Sequence, residues 1–236
     1  MSDSVIIIPT YNEIENVESM TRTVMAFEKD FHILYVDDNS PDGTADKVLE
    51  LQVEFPGRIH LEKRAGKLGL GTAYIHGFKW AIARNYEYIF EMDCDFSHNP
   101  KDLIRLYDAC VAGADLSIGS RYCKGGKVSN WPLKRVLMSY FASVYVRMIL
   151  FIGIKDTTAG FKCYRKKVLQ TIQLDAVTFK GYAFQICMKY AAVRHGFKIK
   201  EVPITFVDRL YGVSKMSSGI FKEAFFGVWK MRKMKL

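Results

Sequence analysis

Three stretches of this chain hold carboxylates directly after an apolar run. Asp93-Cys94-Asp95 follows residues 86–92 (YEYIFEM), Asp37-Asp38-Asn39-Ser40-Pro41-Asp42-Gly43-Thr44 follows residues 31–36 (FHILYV), and Pro9-Thr10-Tyr11-Asn12-Glu13 closes Ser4–Thr10. Two carboxylates one residue apart at a strand end can diverge, one toward a ribose and one toward a hard cation. Oxygen ligands of this kind suit Mg²⁺ or Mn²⁺, which neutralises a diphosphate. An Asp in the second stretch suits hydrogen bonds from ribose hydroxyls or a base edge. The third offers the Tyr11 ring for stacking and the Glu13 carboxylate for base or sugar. Each stretch alone has a structural reading: acidic pairs cap helices, and Asp42 or Thr44 would cap the helix that follows. Three such ends at matching places are far more specific than any one.

The elements that must position them alternate in type. Ser4–Thr10, 31–36, 58–61, 86–92 and 116–119 read as strands, the first as a buried parallel one. Helical spacing runs from an N-cap at Asn12 through Ile14, Val17, Met20, Val24 and Phe27, then over 42–55, 71–84 and 100–112. The rhythm predicts an α/β fold with a mostly parallel central sheet and helices on both faces. In such sheets ligands collect at the carboxyl ends of strands. The glycines of residues 66–71 (GKLGLG) match neither GxGxxG nor GxxxxGK[ST], which argues against a Rossmann site or a P-loop and for a plain turn before a helix. After Arg121 the rhythm breaks into a long apolar helix over 132–154, helices over 182–196 and 217–235, and one strand over 198–207. No linker or repeat divides the chain, so a single domain is expected, with residues 1–120 as its front and 121–236 as its elaboration.

Charge is segregated. Residues 1–100 carry 17 acidic and 9 basic side chains, and the remainder 8 acidic and 25 basic, within a total of +9. An acidic front half argues against a general nucleic-acid binder, as does the lack of an RNP, helix-turn-helix or zinc spacing. Five cysteines without a CxxC pair argue for a reducing, cytoplasmic setting rather than a disulfide framework. The N-terminus lacks the signature of a signal peptide. The segment 136–154 approaches the ~20 residues of a membrane span, but Arg147, Ser139, Tyr140, Ser143 and Tyr145 make it polar for one. Phe221, Phe225, Phe226 and Trp229, interleaved with Lys222, Lys230, Arg232, Lys233 and Lys235, suit anionic lipid as well as a packed terminal helix.

The motifs PTYNE, VDDNSPDGT, GLGTAY, DCDFSHNP, GSRY, KGGKVSNWP and RLYGVSKMS together resemble those of the polyprenol-phosphate (dolichol-phosphate) mannosyltransferases, in family 2 of the inverting glycosyltransferases with the A-type nucleotide-sugar fold. The resemblance runs from about Val5 to Ser218. KGGKVSNWP and RLYGVSK point to the polyprenol-phosphate branch. It implies that Pro9, Tyr11 and Glu13 line the guanosine pocket and that Val36 and Asp38 complete the base and ribose contacts. Asp93, Cys94 and Asp95 match the Asp-x-Asp, with Asp95 the metal ligand; Ser97 stands where some members use Gln, so water would complete that coordination. Arg121, Arg209 and Lys215 match a cationic clamp on the diphosphate and acceptor phosphate, and Arg135 and Ser139 the positions that hold the lipid phosphate.

The implied reaction moves mannose from GDP-mannose to a polyprenyl phosphate with inversion. The nucleophile is an anionic phosphate oxygen, so no protein general base is required; catalysis comes from positioning, from metal charge at Asp95 on the departing GDP, and from Arg121, Arg135, Arg209 and Lys215 holding two anions together, with Asp95, Arg121 and Arg135 as the catalytic residues. Some relatives carry C-terminal transmembrane segments that this sequence lacks. The expectation is therefore a protein peripheral on the cytoplasmic face of a membrane, or held there by a membrane-anchoring partner, with 136–154 sheltering the prenyl chain. The rival readings are a family member using UDP-glucose or another donor or acceptor, a nucleic-acid module, and a non-catalytic nucleotide-sugar sensor.

Overall fold

Strand β1 (Ser4–Thr10) shows why the chain builds three layers. Its four consecutive aliphatic side chains are all fully buried, because alternate residues leave opposite faces of a strand. Val5 and Ile7 enter one core, and Ile6 and Ile8 enter the other. The computed structural model describes residues 2–208 and 218–234, with side chains over 2–208 and 225–234. Arg209, Lys215 and Lys235 lie outside the described residues, and the side chains of Phe221 and Lys222 outside the described side chains.

The elements that follow are α1 (Ile14–Met25), β2 (Phe31–Asp37), α2 (Thr44–Glu54), β3 (Ile59–Lys63), α3 (Leu70–Ala83), β4 (Tyr88–Glu91), α4 (Asp102–Val111) and β5 (Leu116–Ser120). Then come β6 (Lys127–Ser129), α5 (Leu133–Leu150), β7 (Lys162–Arg165), α6 (Lys166–Thr171), α7 (Tyr182–Arg194), β8 (Ile199–Pro203), β9 (Thr205–Val207) and α8 (Ser218–Met231). Seven strands form one sheet in the order β3-β2-β1-β4-β7-β5-β8. All pairings are parallel except those of β7. Helices α1, α2 and α4 cover the Ile6 face, while α3, α6, α7 and the inner side of α5 cover the Val5 face. The mostly parallel α/β architecture with helices on both faces is thus the one the sequence rhythm predicts.

Three details differ from expectation. Asn12 is not an N-cap; it adopts a left-handed φ of 56°, and the amides at the start of α1 are satisfied from the next strand end. Ser40 Oγ accepts from Asn12 N at 3.0 Å, Thr44 Oγ1 from Glu13 N at 3.0 Å, and Asp42 Oδ2 from Ile14 N at 3.2 Å. Second, the strand expected over 198–207 breaks at Ile204, so β8 stays in the main sheet while β9 pairs with β6 in a separate ribbon. Third, β7 was not foreseen. Its KCYR sequence carries two cations, and Lys162 is fully buried because Glu91 of β4 lies 3.0 Å away.

Helices α5 and α8 lie against each other. Tyr145 stacks on Phe225 at 4.8 Å and donates its hydroxyl to the Phe225 carbonyl, while Trp229 Nε1 donates to the same hydroxyl at 3.0 Å. Outward, Leu133, Leu137, Met138, Phe141, Met148, Phe151, Phe226 and Trp229 are exposed. No helix among the described residues is long and apolar enough to cross a membrane.

Candidate active site

The three carboxylate-bearing strand ends converge. Parallel pairing aligns Pro9 with Val36 and Thr10 with Asp37, and β4 flanks β1 on its other side. At their carboxyl edge opens a cavity of about 410 Å³. Pro9, Tyr11, Glu13 and Asp38 line it together with Asp93, Cys94, Asp95 and Ser97, and so do Arg121 and Arg135.

Of the paired Asp37 and Asp38, hydrogen bonding decides which serves the cavity. Asp37 is consumed locally: Thr10 Oγ1, Ser40 N and Ser40 Oγ all donate to it within 2.9 Å. Asp38 faces the cavity with Arg64 behind it, Nε donating to Oδ1 at 2.6 Å. Arg64 also reaches Thr72 Oγ1 at 2.8 Å. Val36 is a different case from that implied by the resemblance: it is fully buried in the core and does not line the cavity. Its role is to hold the strand that delivers Asp38.

Asp95 Oδ1 accepts from Ser97 N at 3.1 Å, which folds the DCDFS turn back on itself. Asp93 N donates to Nδ1 of buried His98 at 3.2 Å, so the His98 proton resides on Nε2. Burial pushes the His98 pKa down to about 4, leaving a neutral donor. Among the described residues no group of three or more His, Cys, Asp or Glu could hold a metal ion. The Asp93 and Asp95 carboxylates with the Ser97 hydroxyl are a sparse, hard oxygen set. That fits a small divalent cation that keeps water and takes phosphate oxygens, as Mg²⁺ does.

The cations are not equivalent. Arg121, on the turn after β5, is 8% exposed and gripped by fully buried Asp156. Nε and Nη2 each donate at 2.7 Å, its backbone N–H donates at 2.9 Å, and Nη2 also reaches Thr158 Oγ1 at 2.7 Å. Burial opposes both charges, but each offsets it for the other, so the Asp156 pKa is lowered and that of Arg121 raised. Arg121, expected in the clamp, therefore lines the cavity with Asp156 held against its guanidinium. Arg135, in the first turn of α5, stacks on Trp131 at 3.9 Å, and Nη1 meets Asp208 at 3.1 Å. Its Nε and Nη2 donors meet no acceptor among the described residues. Ser139 sits one helical turn further along α5 and does not line the cavity.

Several lining residues escaped sequence reasoning. Lys67 lies over the Tyr11 ring at 4.6 Å. Thr158, Ala159 and Gly160 form one wall, fixed from below by Lys189 Nζ, which donates to the Thr157 and Ala159 carbonyls at 3.0 and 2.6 Å. Lys180, Gly181, Tyr182 and Gln185 come from the start of α7. Gly71 fits only because it lacks a side chain: a Cβ there would stand 2.3 Å from the Phe179 carbonyl oxygen. The signals available were the DTTAGFK and KGYAFQ stretches, whose polar residues fall at positions that period alone assigns to ordinary loop and core.

Comparison with known proteins gives the family and the fold. Residues 5–173 match the model of glycosyl transferase family 2. The chain is 49% identical over 231 residues to a polyprenol monophosphomannose synthase of Mycolicibacterium smegmatis, covering 97% of this chain and 87% of that one. It is 47% identical over 218 residues to an undecaprenyl-phosphate mannosyltransferase of Micrococcus luteus, covering 92% and 89%. Among solved structures, glucosyl-3-phosphoglycerate synthase of Mycobacterium tuberculosis, in complex with Mn²⁺, UDP and glucosyl-3-phosphoglycerate, superposes with a TM-score of 0.68 at 15% identity, covering 98% and 80%. A mannosyltransferase of Pyrobaculum calidifontis, in complex with GDP-Man and Mn²⁺, gives 0.59 at 15% identity, covering 94% and 60%. These two likenesses concern the fold, an A-type nucleotide-sugar architecture. With carboxylates gathered at the strand ends and a family match over most of its length, the chain is an enzyme that belongs to glycosyl transferase family 2.

Proposed function

We propose that the protein transfers mannose from GDP-mannose to a polyprenyl phosphate with inversion at the anomeric carbon. The observation that carries this is one continuous cavity with two chemically distinct ends. Carboxylates and Tyr11 stand at the strand ends, and Arg135 stands at the start of α5, whose outer side is apolar. The names of the two relatives sharing nearly half its residues support the acceptor, and the GDP-Man complex of the Pyrobaculum calidifontis enzyme supports the donor.

Tyr11, Glu13 and Asp38 hold the nucleoside. Asp95, with Asp93 and Ser97 beside it, would hold Mg²⁺ or Mn²⁺. When bound, that cation supplies positive charge to the departing diphosphate. Arg135 grips the acceptor phosphate through Nε and Nη2, a geometry that a guanidinium fork suits and a lysine does not. Arg121 and Thr158 fix the wall between donor and acceptor. An acceptor phosphate oxygen is anionic near neutral pH and needs no base; the protein's task is to hold two repelling anions in line for displacement. Arg209 and Lys215 are proposed to add charge at that point, and Ser139 to contact the lipid phosphate. The exposed aromatic and aliphatic side of α5 and α8, edged by Lys134, Lys230, Arg232 and Lys233, rests on the membrane surface. The protein works there on the cytoplasmic face, either directly or with an anchoring partner.

Thermal melting tests the donor end. GDP with Mn²⁺ is expected to raise the melting temperature, and UDP to raise it less. Asp95→Ala removes the Mn²⁺-dependent part and abolishes transfer. A metal-dependent Asp95→Ala variant with wild-type activity would sink the assignment.

A further inference from the structure

Beneath the cavity lies a fully buried polar cluster that neither the nucleotide nor the acceptor phosphate needs. Glu91 accepts from Tyr164 OH at 2.9 Å, from Lys162 Nζ at 3.0 Å and from Gln185 Nε2 at 2.9 Å. Lys162 Nζ also donates to Gln185 Oε1. The Glu91–Lys162 ion pair sets the orientation of the Gln185 amide. A lysine ammonium has no acceptor, so the atom facing it must be the oxygen; an ionised carboxylate has no donor, so the atom facing it must be the nitrogen. Of the two N–H groups on Nε2, Glu91 takes one. The second meets no acceptor among the described residues.

That second donor has a place to go. Gln185 is 3% exposed yet lines the cavity. Its Nε2 lies 3.8 Å from where a Cβ of Gly160 would stand, and the His98 ring closes the other side at 3.5 Å. Gly160 thus leaves a space in front of the amide that any other residue would fill. Charged groups mark the nucleoside and metal end (Glu13, Asp38, Asp95) and the acceptor end (Arg135). A neutral, rigid N–H in the same cavity suits an uncharged oxygen.

Resting on the transfer reaction proposed above, we infer that Gln185 is a specificity residue that donates a hydrogen bond to a hydroxyl of the transferred hexose. The buried Glu91–Lys162 pair acts as the positioning device that holds its amide in the donor orientation. A buried donor built for a hydroxyl rejects a ligand that lacks one, because the N–H is then left unpaired.

The test compares GDP and GDP-mannose binding, by calorimetry with Mn²⁺, on the full chain as wild type, Gln185→Met and Gly160→Ala. Methionine keeps the shape and leaves the Glu91–Lys162 pair in place. The alanine Cβ would meet its nearest neighbours at ordinary contact distances of 3.5–3.9 Å, so that variant folds. Both variants should bind GDP within about twofold of wild type but GDP-mannose roughly fivefold to tenfold more weakly, with kcat/KM for transfer falling at least as far. Unchanged GDP-mannose affinity in both, or an equal loss for GDP, would overturn the assignment. If wild type binds UDP rather than GDP, the proposed donor is wrong, and the same pair of measurements with UDP and UDP-glucose still decides the role of Gln185.

Discussion

At Arg121 a full positive charge sits where little of the residue meets water, and Asp156 is what makes that tolerable. Removing one partner of such a pair strands the other, at a cost of about 3–5 kcal/mol. Asp156→Ala is therefore expected to lower unfolding stability by that amount in denaturant titrations near neutral pH. The Asp156 pKa is held below its ordinary value of 3.8, so the pair's contribution is complete above that pH and disappears as pH falls through the lower folded value. The difference between wild type and variant should shrink in acid; a constant difference down to pH 2 would contradict the pairing. At this scale the sequence was legible for residues flagged by chemistry, such as Asp38, Asp95 and Arg135. It was silent on Asp156, which looks like any loop acid until folding brings it 35 residues back to Arg121.

The strand ends are tied to one another rather than capped singly. Asp42 closes the start of α2 through Thr44 N and Oγ1, and with its other oxygen accepts from the first amide of α1. One carboxylate thus serves two helices whose loops carry Tyr11, Glu13 and Asp38. A single lost cap costs about 1 kcal/mol; Asp42→Ala should cost roughly twice that and also weaken GDP binding, while Asp46→Ala on the exposed face of α2 should do neither. Equal effects of the two substitutions would refute the shared cap. Period and composition disclosed the strands and helices of the front half because each is amphipathic or uniformly apolar. They did not disclose β7, whose lysine and arginine hide a strand stabilised by Glu91 and Glu87 of its neighbourhood. Nor did they show the break at Ile204, which depends on hydrogen bonds to Ser120 and Lys127 far away in sequence.

Over the whole molecule, the acidic front supplies the carboxylate end of the cavity and the basic back supplies Arg135 and the α5–α8 face. That face predicts membrane behaviour: the protein should float with anionic vesicles at low salt and release as salt rises, since screening weakens headgroup attraction. Phe141→Ser with Phe226→Ser, both at exposed positions, should abolish most of the flotation without lowering the melting temperature. Flotation unchanged by the double substitution would place the membrane contact elsewhere. The most direct measurement of the central claim is transfer itself, with labelled GDP-mannose, Mn²⁺ and a short prenyl phosphate. The account predicts that label moves into the organic phase as a single inverted mannosyl phosphoprenol, and that Arg135→Ala raises the KM for the prenyl phosphate at least tenfold while the KM for GDP-mannose barely changes. Label that stays in water, or that moves from UDP-glucose in preference to GDP-mannose, would contradict it.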